Sequence, residues 1–136
     1  MISVFVSLLL LGHTFQSPAI HAESERYSVD ALDTGGGDRP ARVIVSNNIT
    51  SRRHMVMVNS TLGELRRAVI GDDQQRVTLV STKGFAVIDP AGVANTDEVY
   101  GLDAIVSPGG RWIAFRRFYP PTHPGPTEGV TAYDTR

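Results

Sequence analysis

Eight short runs rich in Val, Ile and aromatic residues punctuate this chain: Val43–Val45, Met55–Val58, Ala68–Ile70, Val77–Val80, Phe85–Ile88, Ala104–Val106, Trp112–Phe115 and Val130–Tyr133. Runs this short, in β-branched and aromatic residues, are strand material and not helix material. Between them stand turn formers: Asn47-Asn48, Asn59–Gly63, Gly71-Asp72-Asp73, Lys83-Gly84, Asp89–Gly92 and Ser107–Gly110. Only Leu62–Val69 has a helical spacing, and its β-branched residues weigh against it. The expected fold class is all-β.

The runs are mostly continuous rather than alternating. Met55-Val56-Met57-Val58 and Trp112-Ile113-Ala114-Phe115 place apolar side chains on both faces of a strand. Such a strand must be covered on both sides. Packed sheets, as in a sandwich or in the blades of a β-propeller, provide that cover.

The runs also pair. Residues 43–58, 77–88 and 112–133 read as three hairpins whose first strands begin at Val43, Val77 and Trp112, spaced by 34 and 35 residues. Their second strands end in an apolar residue and then Asn or Asp: Val58-Asn59, Ile88-Asp89, Tyr133-Asp134. About two and a half repeats result. The β-repeat domain is expected over 41–136. Residues 23–40, with Gly35-Gly36-Gly37 and Asp38-Arg39-Pro40, are expected as a flexible lead.

Within the last unit, Asp103-Ala104-Ile105-Val106-Ser107-Pro108-Gly109-Gly110-Arg111-Trp112-Ile113-Ala114-Phe115 resembles the Ser-Pro-Asp-Gly-Arg-x-Ile-Ala-Phe signature of WD40-like repeats. These occur in TolB-type propellers and in the propellers of prolyl-oligopeptidase-type peptidases. The resemblance extends over 103–134, where Ala132-Tyr133-Asp134 matches the family's later strand. It implies a tight turn at Ser107–Gly110 and an inter-blade filling by Trp112, Ile113 and Phe115. Gly109 stands where the family usually has Asp. The resemblance says little about function. Propellers close with about four or more blades, and two to three are legible here. Three readings stay open: a piece of a longer protein, a ring completed by association, and an open stack or small β-sandwich. The end at Arg136 points first to the piece.

At the other end, residues 1–22 carry no charged side chain, and Ile2–Leu11 is an apolar run of signal-peptide length. Cleavage is expected after Ala22, with Ser17-Pro18-Ala19 as a competing site. No apolar run reaches the ~20 residues of a membrane span. Twelve of the thirteen basic residues are Arg, a bias of GC-rich coding, so the expected location is a bacterial periplasm or the exterior. In that setting the sequons at Asn48 and Asn59 are ordinary turn residues.

A formal charge of −1 argues against a nucleic-acid binder or an anionic-membrane binder. Without cysteine there is no disulfide framework and no thiolate metal site. His54 and His123 are isolated, and Asp72-Asp73 and Asp97-Glu98 read as solvated turns. No hydrolase elbow or phosphate loop is present, so no catalytic residue, metal or cofactor is expected. Arg116 and Arg117, being strand neighbours, point to opposite faces. The connection Phe118–Gly129 holds four of the eight prolines, and Tyr119 and His123 on it are the candidate partner-binding residues, with Arg116 and Arg117 beside them. The expected function is a non-enzymatic protein- or ligand-binding module of the cell envelope, with another envelope protein or itself as partner. The alternatives are a propeller piece of a prolyl-oligopeptidase-type hydrolase lacking its catalytic domain, and a purely structural product.

Overall fold

The computed structural model describes residues 20–92, 96–118, 122, 125 and 128–136. It is all-β. In chain order the strands are β1 (His21–Glu23), β2 (Tyr27–Asp33), β3 (Ala41–Asn47), β4 (Arg53–Val58), β5 (Leu65–Ile70), β6 (Val77–Ser81), β7 (Gly84–Ile88), β8 (Asp97–Tyr100), β9 (Leu102–Val106), β10 (Trp112–Phe118) and β11 (Glu128–Asp134). One turn of 3-10 helix, Ser60–Leu62, precedes β5. Among the described residues no helix is long and apolar enough to cross a membrane.

The strands form three antiparallel meanders, β1-β2-β3-β4, β5-β6-β7-β8 and β9-β10-β11, none closed into a barrel. The three hairpins expected from the sequence are β3–β4, β6–β7 and β10–β11. The meanders stack like successive blades. One core lies between the first and middle sheets, with Tyr27, Val29, Val43, Val45 and Val58 facing Leu65, Val77, Leu79 and Ile88. A second lies between the middle and last sheets, with Val80, Phe85 and Val87 facing Val106, Ile113 and Phe115. Every residue of β6 and β7 is buried. The middle sheet is therefore covered on both faces, as its unbroken apolar runs demand.

Three expectations change. Residues 23–40 are not a loose lead, because β2 runs through them with Tyr27 and Val29 buried and pairs with β3 along its length. Its apolar residues alternate with Ser28 and Asp30, so no run marks it. The fold accordingly begins before residue 41, with Ala22 inside β1, opposite Val29 and packed against the first core. The repeat register also shifts. Val77 and Trp112 open the second strands of their sheets, whereas Val43 lies on a third strand. The second strand of the first sheet starts at Tyr27, so the 34-residue spacing joins unlike positions. Finally, Asp97-Glu98 opens β8 and is not a turn.

The turns behave as their residues dictate. Asn59 Oδ1 accepts the Thr61 N–H at the start of the 3-10 turn, at 3.0 Å. Asn48 Nδ2 donates to the Ser24 carbonyl at 3.1 Å. Asn59 is thus engaged in local turn bonding, whereas Asn48 bonds across to the β1–β2 turn. In the signature turn, the Gly110 N–H returns to the Ser107 carbonyl at 2.8 Å, and Ser107 Oγ accepts the Trp112 N–H at 3.0 Å.

Candidate interaction surface

Strand β10 runs down the middle of the last sheet, and the pleat divides its side chains. Ile113 and Phe115 enter the second core. Trp112, Ala114, Arg116 and Phe118 take the opposite face. The register adds their neighbours: Ala114 stands across from Ile105 on β9 and Ala132 on β11, and Arg116 across from Val130. Nothing in the chain's described residues covers this face. Ile105 is 68% exposed, Trp112 45%, Phe118 50% and Val130 82%. Four large apolar side chains in the open on one sheet face exceed the scattered exposure of an ordinary surface.

Charge is held in place around them. Arg116 reaches Asp103 on β9 at 3.0 Å and Glu128 on β11 at 3.9 Å, and its guanidinium lies 5.5 Å from the Phe118 ring centroid. Arg111 sits 5.2 Å over the Trp112 ring and bonds Asp134 at 3.3 Å. The Arg111 hydrogen bond, helped by the Arg136 backbone N–H, holds the Asp134 carboxyl below its ordinary range. Exposed pairs of this kind contribute little stability. Their effect here is to orient two guanidinium groups over aromatic rings, on a face rich in the Trp, Phe and Arg side chains that dominate protein interfaces.

The resemblance places Trp112 between blades as a core anchor, and the structure places it on the open face instead. Its ring is stacked under Arg111 but open to solvent. Trp112→Ala should therefore cost about 1 kcal/mol in a dilute monomer, and not the roughly 3–5 kcal/mol of a fully buried ring. Urea unfolding measures this, and a loss above about 3 kcal/mol would show that the ring is covered in solution.

The candidate binding residues do not form one patch. Arg116 belongs to the outer face. Arg117, on the other side of the strand, lines a cleft of about 390 Å³ with Glu98, Val99, Tyr100, Gly101 and Phe115, and the outer-face Phe118 borders it at the end of the strand. Tyr119 and His123 lie outside the described residues. Ile105 and Val130 were not singled out in the sequence. The signal for them was present in the doubly apolar Trp112–Phe115 run, which requires cover on two sides.

Behind this face, Tyr133 ties the last sheet to the middle one. Its ring packs edge-on to Phe85 at 5.4 Å, and its hydroxyl donates to Asp97 Oδ2 on β8. Burial first, and then the bond to the Asp97 carboxylate, push the phenol from 10.0 up to about 12. The folded state thus holds the Tyr133 proton more tightly than the unfolded chain. Its contribution is complete below pH 10 and is lost as the pH rises through about 12. The unfolding temperature should fall across that window, and less steeply in Tyr133→Phe. An equal fall in both proteins would disconnect the tyrosine from it.

No family model matches the chain, and no curated protein or solved structure matches it significantly.

Proposed function

We propose that the chain is an exported, non-enzymatic binding module of the bacterial cell envelope, periplasmic or secreted, which engages a protein through the outer face of its last sheet. One observation carries this reading: Trp112, Phe118, Ile105 and Val130 stand uncovered on one face beside two oriented arginines. The likeness of residues 103–134 to WD40-like repeats supports it, because such blades ordinarily have neighbours on both sides. A photoreactive residue at Ile105, introduced in the expressing host, should cross-link to protein, while the same probe at exposed Lys83, in the β6–β7 turn of the middle sheet, should not. Equal yields at the two positions would overturn the assignment of the face.

Export rests on the uncharged, apolar N-terminus. Cleavage after Ala22 would remove His21 and Ala22 from β1. Cleavage after Ala19 keeps the whole strand, together with Ile20, whose carbonyl accepts the Ala31 N–H at 3.0 Å and whose side chain packs on the first core. Ser17-Pro18-Ala19 also carries small residues at both positions that signal peptidase reads. Mass spectrometry of the mature protein is expected to read Ile20 first. Glu23 would return the cut to Ala22, and an intact Met1 in the soluble cytoplasm would remove the export reading.

A further inference from the structure

The stack has a second uncovered end. On the outward face of the first sheet, Leu32, Met55 and Met57 are each at least half exposed, with Ile44 beside them. The register sets Ile44 opposite Met55 and Arg42 opposite Met57, so these side chains share one face. Each inner face of the chain is covered by the next sheet in sequence, first against middle and middle against last. The same contact made once more would set a last sheet against a first sheet.

The charges on the two ends suit that contact. On the first sheet's face Asp30 lies across from Ile44 and is engaged, with Glu23, by His21, while Arg42 and Arg53 have no ionic partner among the described residues. The last sheet's face carries three carboxylates, Asp103, Glu128 and Asp134, for the two arginines Arg111 and Arg116. Positions match as well. In their meanders β3 and β11 are both third strands. Arg42 is at the end of β3 that follows the β2–β3 turn, and Glu128 is at the corresponding end of β11. Arg53, at the far end of neighbouring β4, corresponds to Asp134 at the far end of β11. Opposite charges therefore coincide at both ends of the strands. Between them the methionines offer adaptable, polarisable contacts to Trp112 and Phe118.

Resting on the docking-face reading above, we propose that the occupant of this face is a second copy of the chain. The last sheet of each copy packs on the first sheet of the other. A contact between two different faces runs on into a filament unless its rotation closes. Two copies supply six sheets, within the roughly 4–8 of closed radial arrays, and a twofold axis then covers all four end faces. Another protein seated on the last sheet would leave Leu32, Met55 and Met57 exposed.

Sedimentation and solution scattering of the purified protein should give a dimer at rising concentration and nothing larger. Val130→Arg, at an 82% exposed position, should give a monomer with an unchanged β-sheet circular dichroism spectrum. Arg42→Glu and Glu128→Arg should each weaken the dimer tenfold or more, and the two together should restore it. A monomer at every concentration, open-ended growth, or a dimer indifferent to Val130→Arg would overturn the proposal. A monomer whose Ile105 probe still captures a different protein would overturn the second copy alone and leave the docking face standing.

Discussion

Phe85→Ala should leave the protein barely folded. Phe85 has no solvent-exposed surface and sits in the core between the middle and last sheets. Its ring meets Phe115 edge-on at 5.1 Å and Tyr133 at 5.4 Å, so three aromatic residues from two sheets close on one another. Truncation removes the transfer energy of the ring and leaves a cavity that two sheets cannot easily collapse around. Together these cost about 3–5 kcal/mol, against a total of about 5–15 kcal/mol for a domain of this kind. Urea unfolding should show the midpoint fall by a large fraction. Ile105→Ala, on the open face, should change stability by less than about 0.5 kcal/mol. A loss under about 1 kcal/mol for Phe85→Ala would mean that the last sheet does not pack on the middle one, and the stack itself would be wrong.

The contrast between these two residues shows what the sequence could and could not disclose. All eight apolar runs lie in strands, because a run of three or four β-branched or aromatic residues has few other stable uses. Strands β2 and β8 escaped detection because neither holds an apolar run of three residues. Tyr27, Val29 and Ala31 alternate with polar residues, and Val99 is the one inward apolar residue of β8 between acidic and exposed neighbours. β1 is too short to produce any pattern. The surface was harder to read. The Trp112–Phe115 run declared two apolar faces, but sequence does not say whether the second is covered by the same chain. Ile113 and Phe115 went inside as expected, and Trp112 with Phe118 stayed out. The basic pair Arg116-Arg117 was legible as divided, since the pleat alone separates neighbours, and only the coordinates show Asp103 and Glu128 gathering on one of the two.

A sharp backbone requirement lies in the signature turn, and Gly110→Val should show it. Gly110 has φ +77°, a region that β-branched residues almost never occupy. A Cβ there would also lie 2.8 Å from the Gly71 Cα in the β5–β6 turn of the middle sheet. Neither atom can rotate away, because the Gly71 Cα is main chain and a Cβ is fixed in place by its own backbone. The same turns are tied by the Asp72 N–H, which donates to the Gly109 carbonyl at 3.0 Å, and Thr135 Oγ1 donates to the Gly110 carbonyl at 3.0 Å. Backbone strain of about 1–3 kcal/mol and overpacking of a similar size should together cost about 3 kcal/mol or more. The damage should begin where the middle and last sheets meet, so amide exchange should speed up first in β9 and β10. Gly109 provides the comparison. Its φ is not positive, and an added Cβ would meet only the Asp72 carboxylate at 3.3 Å, a side chain able to turn aside. Gly109→Ala should cost little. Gly109→Asp should be destabilising, because it would set a second carboxylate against Asp72. If Gly110→Val unfolds no more easily than Gly109→Ala, the two turns are not in contact in solution, and the close approach of the middle and last sheets at this end is lost with them.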